Sequence, residues 1–285
     1  MSPKGPTKIS GIKSIGLKRY NADKIRIINL ALLFVSIAKY KAKIVRSKQL
    51  TEKVIQAGFV IESPESLLQF SFAPGQYISF LLRDISGRKV RRSYSISSDP
   101  GRKFRGHPYI EVIVDISPAG PGSNFFRDLQ PETTVEILGP MGTFLVDQNN
   151  APSGKSIFIA TGTGVAPYLP MINQLLQKKT IELVELMWGL RCEKDIYLKE
   201  KLDTLEKSSA GRFSYKIYLS QETNEHLGGL SHDYAFGRVN AGIDEGFNAG
   251  NHYYLCGNGK MIEEVSTFLL SENLLTENIK VEKYY

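Results

Sequence analysis

The sequence predicts two domains in series, an antiparallel β-barrel followed by an α/β domain built on a parallel, doubly wound sheet. Three observations predict it. From Tyr40 to Val146, short β-like runs are separated by Gly/Pro turn clusters, as in a small all-β unit. "DQNNAPSGK" (147–155) then interrupts with the polarity of a linker. Beyond it, strand-like and helix-like segments alternate, as a parallel sheet with crossover helices requires.

The first domain reads as strands at "YISFLL" (77–82), "YSIS" (94–97), "YIEVIVDI" (109–116) and "TVEIL" (134–138), with turns at "APGQ", "DPGR" and "SPAGPG". The second reads as a strand at 157–160, a helix over about 166–178, a strand at 182–188 and a helix near 194–207. Strands at "FSYKIYL" (213–219) and "HYYLCG" (252–257) and a helix at "KMIEEVSTFLLSE" (260–272) complete it. The expected boundaries are 1–38 for a basic N-terminal extension, 39–147 for the barrel and 148–285 for the α/β domain.

The chain has 285 residues, enough for two ordinary domains, and its 42% apolar content allows a sizeable core. Its net charge of +7 is unevenly spread. Residues 1–50 carry 12 Lys and Arg against one acid, Asp23, whereas the rest of the chain is slightly acidic. The basic character therefore belongs to the N-terminus, and a bulk argument for nucleic-acid binding fails. Two cysteines, Cys192 and Cys256, are too few for a disulfide framework or a cysteine-held cluster, and no metal site is expected. "IINLALLFVSIA" (27–38) is too short to span a bilayer. It admits three readings: a secretory signal, a basic tail leading into the first strand, or a start codon assigned too early. A cytoplasmic protein without membrane association is the expectation.

The stretch "IFIATGTGVAPYLPMINQLL" (157–176) turns sharply from strand to helix with almost no side chain. Gly162 and Gly164 allow positive φ and close approach of a ligand. The helix start offers free N–H groups that suit a pyrophosphate, and Pro167 fits the first turn. The full dinucleotide fingerprint would need glycine at 167. "SGKS" (153–156) mimics the end of a P-loop, but Asn149 stands where glycine is needed and a strand follows.

"RRSYSISS" (91–98) carries a second set. Alternation puts Arg92 and Tyr94 on one face of a strand and Ser95 on the other. A guanidinium for phosphate, a flat aromatic ring and a hydroxyl donor together suit a phosphorylated aromatic cofactor. "AGPGSNFF" (119–126) is another glycine-rich turn before a helix and a candidate anion cradle.

In order, these motifs are Arg92-Ser93-Tyr94-Ser95, Gly120 to Ser123, "GPMGTF" (139–144), "GTGVAP" (162–167), Cys256-Gly257 and "VEKYY" (281–285). Over residues 40–285 the chain resembles the ferredoxin–NADP⁺ reductase family of flavoproteins. The resemblance implies an FAD-binding barrel followed by a Rossmann-like pyridine-nucleotide domain. It implies that Arg92 holds FAD phosphate, Tyr94 packs on the isoalloxazine and Ser95 hydrogen-bonds near flavin N5. Gly120, Gly122 and Ser123 would cradle the FAD pyrophosphate. Thr163 and Gly164 would hold that of NADP(H), and Cys256 would lie beside the nicotinamide. Glu282-Lys283-Tyr284 matches the family's Glu-x-Tyr ending, with Tyr285 as one extra residue. Tyr284 is thus the expected stacking ring and Tyr285 the alternative.

For the 2′-phosphate of NADP(H), the resemblance points to Arg191, Ser220 and Arg238. Gln221 replaces an arginine of the family pattern, which leaves NAD(H) open. The implied activity is electron transfer between NADPH and a one-electron carrier such as ferredoxin or flavodoxin. Ser95, Cys256, Glu282 and Tyr284 are its candidate catalytic residues. Eight cationic residues between 83 and 105 would steer an acidic carrier if they rim one site. The alternatives are an NADH-dependent reductase of an oxygenase system or, in a different class, a catalytically silent flavin-binding regulatory subunit.

Overall fold

The computed structural model describes residues 38–62, 70–147, 153–178, 182–223, 233–244 and 247–284. The expected N-terminal extension and Tyr285 lie outside them, apart from Ala38. Residues Ile37–Tyr285 form one compact unit.

Seven strands make the first sheet: β1 (Lys39–Thr51), β2 (Val54–Glu62), β3 (Tyr77–Arg83), β4 (Lys89–Ser95), β5 (Lys103–Phe104), β6 (His107–Asp115) and β7 (Thr134–Met141). All pair antiparallel, in the order β4-β3-β7-β1-β2-β6-β5. An Ile96–Val112 bridge links the end of β4 to β6 and curls the sheet toward closure. The pleat explains the burial. In "KYKAKI", Tyr40, Ala42 and Ile44 are buried while lysines alternate outward. Phe59, Phe80, Phe126 and Ile137 fill the interior. A short helix, α1 (Pro121–Arg127), follows β6.

The second sheet is parallel: β8 (Lys155–Thr161), β9 (Leu183–Leu190), β10 (Phe213–Leu219), β11 (Tyr234–Phe236), β12 (His252–Asn258) and β13 (Ile279–Tyr284), ordered β11-β10-β9-β8-β12-β13. Its helices are α2 (Tyr168–Gln177), α3 (Lys199–Ser208) and α4 (Gly259–Ser271). The central strands are apolar on both faces, as a covered parallel sheet requires. One face packs with Tyr168, Trp188 and Leu202, together with Ile113 of β6 and Phe144 from the segment after β7; the other packs with Met261, Val265 and Leu269 of α4. The strand order reverses at β8, between β9 and β12, which is the topological switch point where such sheets bind ligands.

Several expectations need correction. The helix expected from 166 begins at Tyr168, because a 3₁₀ turn over Gly162–Val165 comes first. The helix near 194–207 is a 3₁₀ turn over Glu193–Asp195 and then α3, separated by Leu198 at φ 64°. A last strand not expected from the sequence, β13, contains "VEKY" and is seated on β12. The cationic run 83–105 is not one patch. Arg83, Arg88 and Lys89 sit at the β3–β4 hairpin, about 20 Å along β4 from Ser95 at 3.3 Å per residue. Arg88 is there paired with Asp84, and Arg102, Lys103 and Arg105 belong to the β5–β6 hairpin.

Candidate active site

Ser95 is the last residue of β4, facing away from the barrel core, and is 3% exposed. Its hydroxyl donates to Glu282 Oε1 at 2.6 Å. A donating hydroxyl keeps its lone pairs, so Ser95 Oγ accepts from the Tyr284 hydroxyl at 2.8 Å. The chain Tyr284 → Ser95 → Glu282 thus has one direction of donation. It joins a barrel strand to β13, the edge strand of the parallel sheet. Register does the positioning: β13 sets Glu282 against Cys256 and Tyr284 against Asn258.

Burial tunes each group. Burial pushes the Glu282 carboxyl above its usual range, against the opposing pull of the Ser95 hydrogen bond. Burial also pushes the Tyr284 phenol and the Cys256 thiol well up. Tyr284 therefore stays a donor, and Cys256, fully buried beside the Tyr284 hydroxyl, stays a neutral thiol rather than a nucleophile.

Arg92 and Tyr94 share the other face of β4, as alternation predicts. Both lie against Gly122, where a Cβ would fall 2.0 Å from the Tyr94 hydroxyl and 3.4 Å from Arg92 Cγ. Tyr94 packs edge-on against Phe126, and burial pushes its phenol up to about 12. Arg92 is exposed, with one guanidinium nitrogen on the Arg91 carbonyl. Gly120 is the extended N-cap of α1, no side chain caps the helix, and Pro121 supplies no donor. The backbone N–H groups of Gly122 and Ser123 thus lead the helix beside Arg92 and Tyr94. The Ser123 hydroxyl reaches the Asp115 carbonyl only at 3.4 Å. Guanidinium, phenol and free helix donors form a set that fits a phosphorylated flavin.

A cleft of about 910 Å³ opens at the carboxyl ends of β8, β9, β10 and β12. Thr163, Arg191, Ser220 and Arg238 line it, and so does Tyr284. The expected nucleotide residues and the terminal aromatic ring therefore share one cavity, and the donors fit a dinucleotide phosphate. Gly164 does not face it. A Cβ there would sit 2.4 Å from the Cys256 carbonyl, so this glycine lets the loop close onto β12. Only Gly162 of the pair has positive φ, 55°, and it lines the cleft. Thr161 Oγ1 accepts the Asn258 N–H at 2.9 Å, tying the loop to the strand that carries Cys256. Sequence reasoning missed Lys260, a cation on the first turn of α4 facing the same cleft. "CGNGK" after a strand carried that signal, since Asn258 is the N-cap of the helix.

Among the described residues no group of His, Cys, Asp and Glu could hold a metal, and no helix is long and apolar enough to cross a membrane.

An antiparallel barrel with a phosphate-directed turn, followed by a parallel sheet with a nucleotide cleft at its switch point, defines a two-domain flavin and pyridine-nucleotide oxidoreductase. Comparison with known proteins agrees. Residues 41–145 match the oxidoreductase FAD-binding domain and residues 158–267 the oxidoreductase NAD-binding domain. The chain belongs to the ferredoxin–NADP⁺ reductase family. It is 29% identical over 254 residues to ferredoxin–NADP reductase B of Sorangium cellulosum, covering 86% of this chain and 97% of that protein. It is 30% identical over 219 residues to the reductase component of phenol 2-monooxygenase from a Pseudomonas species, covering 75% of this chain but only 58% of that protein. The fold is shared with a ferredoxin NADP⁺ reductase from Neisseria gonorrhoeae with bound FAD and NADP, with a TM-score of 0.69 at 20% identity over 87% of this chain and 99% of that one.

Proposed function

We propose that this chain is an FAD-dependent reductase passing electrons between NADPH and a separate one-electron carrier. Residues 39–147 are the flavin domain in this reading and 148–285 the nucleotide domain. The observation that carries it is the direct junction of the two sites. The nucleotide cleft ends at Tyr284, whose hydroxyl is bonded to Ser95 on the barrel.

When bound, FAD supplies the conversion between two-electron and one-electron chemistry. The protein supplies binding and orientation. Arg92, Gly122 and Ser123 hold phosphate, and Tyr94 offers its ring. Glu282 fixes the Ser95 hydroxyl by accepting from it. Tyr284 closes the cleft end and must yield to let a nicotinamide approach. Arg191, Arg238 and Lys260 offer positive charge to a 2′-phosphate, with Ser220 as a neutral donor. The carrier, on this reading, is an acidic ferredoxin or flavodoxin, and the protein works in the cytoplasm. With the cationic run split between two hairpins, Arg91 and Arg92 are the members of it that lie on β4 closest in sequence to Ser95 and could meet such a partner.

Gln221 favours a second reading, an NADH-dependent oxygenase reductase, because the cleft there lacks a guanidinium. The likeness to oxygenase reductase components supports it, although the chain spans about three fifths of their length. Anaerobic stopped-flow titration with NADPH and then NADH separates the two. Rapid flavin bleaching by NADPH and slow bleaching by NADH is expected. The reverse order favours the oxygenase reading, and a bound flavin that neither coenzyme reduces leaves a binding role.

A further inference from the structure

The carbonyl of Gly162, the first residue of the nucleotide loop, accepts two side-chain hydrogen bonds. The Trp188 indole N–H donates to it at 2.9 Å and the Tyr197 hydroxyl at 3.0 Å. Both donors are buried, Trp188 completely and Tyr197 to 5% exposure, and their rings meet edge to face at 4.8 Å. They come from different places, Trp188 from β9 and Tyr197 from the segment before α3. Indole nitrogen is a donor only, and a carbonyl oxygen has two lone pairs, so the two donors together occupy both. Gly162 itself is at φ 55°, and nothing lies within 4 Å of where its Cβ would be. Its conformation is therefore not imposed by crowding and needs another source.

We infer that Trp188 and Tyr197 form a clamp that presets the loop Gly162–Val165 for a dinucleotide phosphate. The geometry follows from the peptide plane. In a trans peptide the C=O and the next N–H point in opposite directions. Holding the Gly162 oxygen against Trp188 and Tyr197 therefore directs the Thr163 N–H the opposite way, as a donor for an anion in the cleft, which Gly162, Thr163 and Tyr197 itself line. Without the clamp, the peptide can flip and present its oxygen to the anion. Trp188 and Tyr197 are thus positioning residues that act through the Gly162–Thr163 peptide. Tyr197 remains a donor at every working pH, since burial pushes its phenol far up. The inference rests on the nucleotide reading of the cleft.

The test uses the flavin-loaded full chain and the variants Tyr197→Phe and Trp188→Phe, each of which removes one donor and keeps a ring. NADP⁺ and NAD⁺ affinity is measured by calorimetry, and amide exchange of residues 162–165 without nucleotide. Loss of one neutral hydrogen bond should weaken binding of the preferred nucleotide about three- to ten-fold. The loop amides should exchange faster, with flavin content retained and the KM for nucleotide raised more than kcat is lowered. Wild-type binding with unchanged affinity and exchange in Tyr197→Phe overturns the clamp alone. A wild-type protein that binds neither nucleotide overturns the clamp and the nucleotide reading together. If Trp188→Phe fails to fold, Tyr197→Phe decides. Trp188 is the chain's single tryptophan, so its fluorescence should change on nucleotide binding in wild type and less in Tyr197→Phe.

Discussion

At the scale of single residues, the site is a directed chain of three hydroxyl and carboxyl groups, and each member is testable. Glu282 has its folded pKa above its unfolded value of 4.5. Its stabilising contribution is complete below pH 4.5 and is lost as pH rises through the folded pKa. Glu282→Gln keeps the acceptor for Ser95 but cannot ionise. The melting temperature of Glu282→Gln relative to wild type should therefore be higher at pH 7.5 than at pH 4, measured by thermal scans across that range. Ser95→Ala removes a buried hydroxyl that both accepts and donates. Flavin reduction should slow by about ten-fold or more with flavin content unchanged, read by stopped-flow absorbance. Tyr284→Ser clears the end of the cleft and should raise kcat/KM for NADH relative to NADPH. Were Tyr285→Ser to shift that ratio and Tyr284→Ser to leave it alone, the ring assignment would move by one residue.

At the scale of elements, the loop between β8 and α2 shows how two glycines of one motif answer different constraints. Gly162 is at positive φ in open space, whereas Gly164 is ordinary in φ but pressed on the Cys256 carbonyl. Gly162→Ala should cost about 1–2 kcal/mol through backbone strain. Gly164→Ala must push β12 away and should cost more, disturbing Cys256 as well. Chemical denaturation of both variants orders the two costs, and equal or reversed losses would refute this account. β13 is the other decisive element. Its parallel register with β12 turns a six-residue terminus into the carrier of Glu282 and Tyr284.

At the scale of the whole molecule, the two sheets are joined by polar contacts as well as apolar ones. Asn173 of α2 donates to Asp99 at 2.9 Å, and Lys280 of β13 to the Leu145 carbonyl at 2.9 Å. Residues 37–285 are compact by themselves. A chain beginning at Ile37 should fold, hold flavin and be reduced by nucleotide at a rate within about two-fold of the full chain. Sedimentation of both forms with anionic vesicles then assigns any surface-binding role to the basic segment 1–36, whose charge makes such binding salt-sensitive.

Much of this was legible in the chain because it follows from local rules. Period-two runs with Gly/Pro turns specified the antiparallel sheet, and alternation placed Arg92 and Tyr94 together and Ser95 apart. A strand–glycine–helix junction marked the nucleotide loop. What the sequence could not decide was which separated segments meet. Ser95 and Glu282 are 187 residues apart and touch at 2.6 Å, and Trp188 and Tyr197 reach back to Gly162 across the sheet. The cationic run 83–105, continuous in sequence, is divided by the fold. Periodicity fixes which face a residue takes within its own element. Contacts between elements depend on strand order and register, which are settled only when the two sheets pack and their buried polar groups find partners.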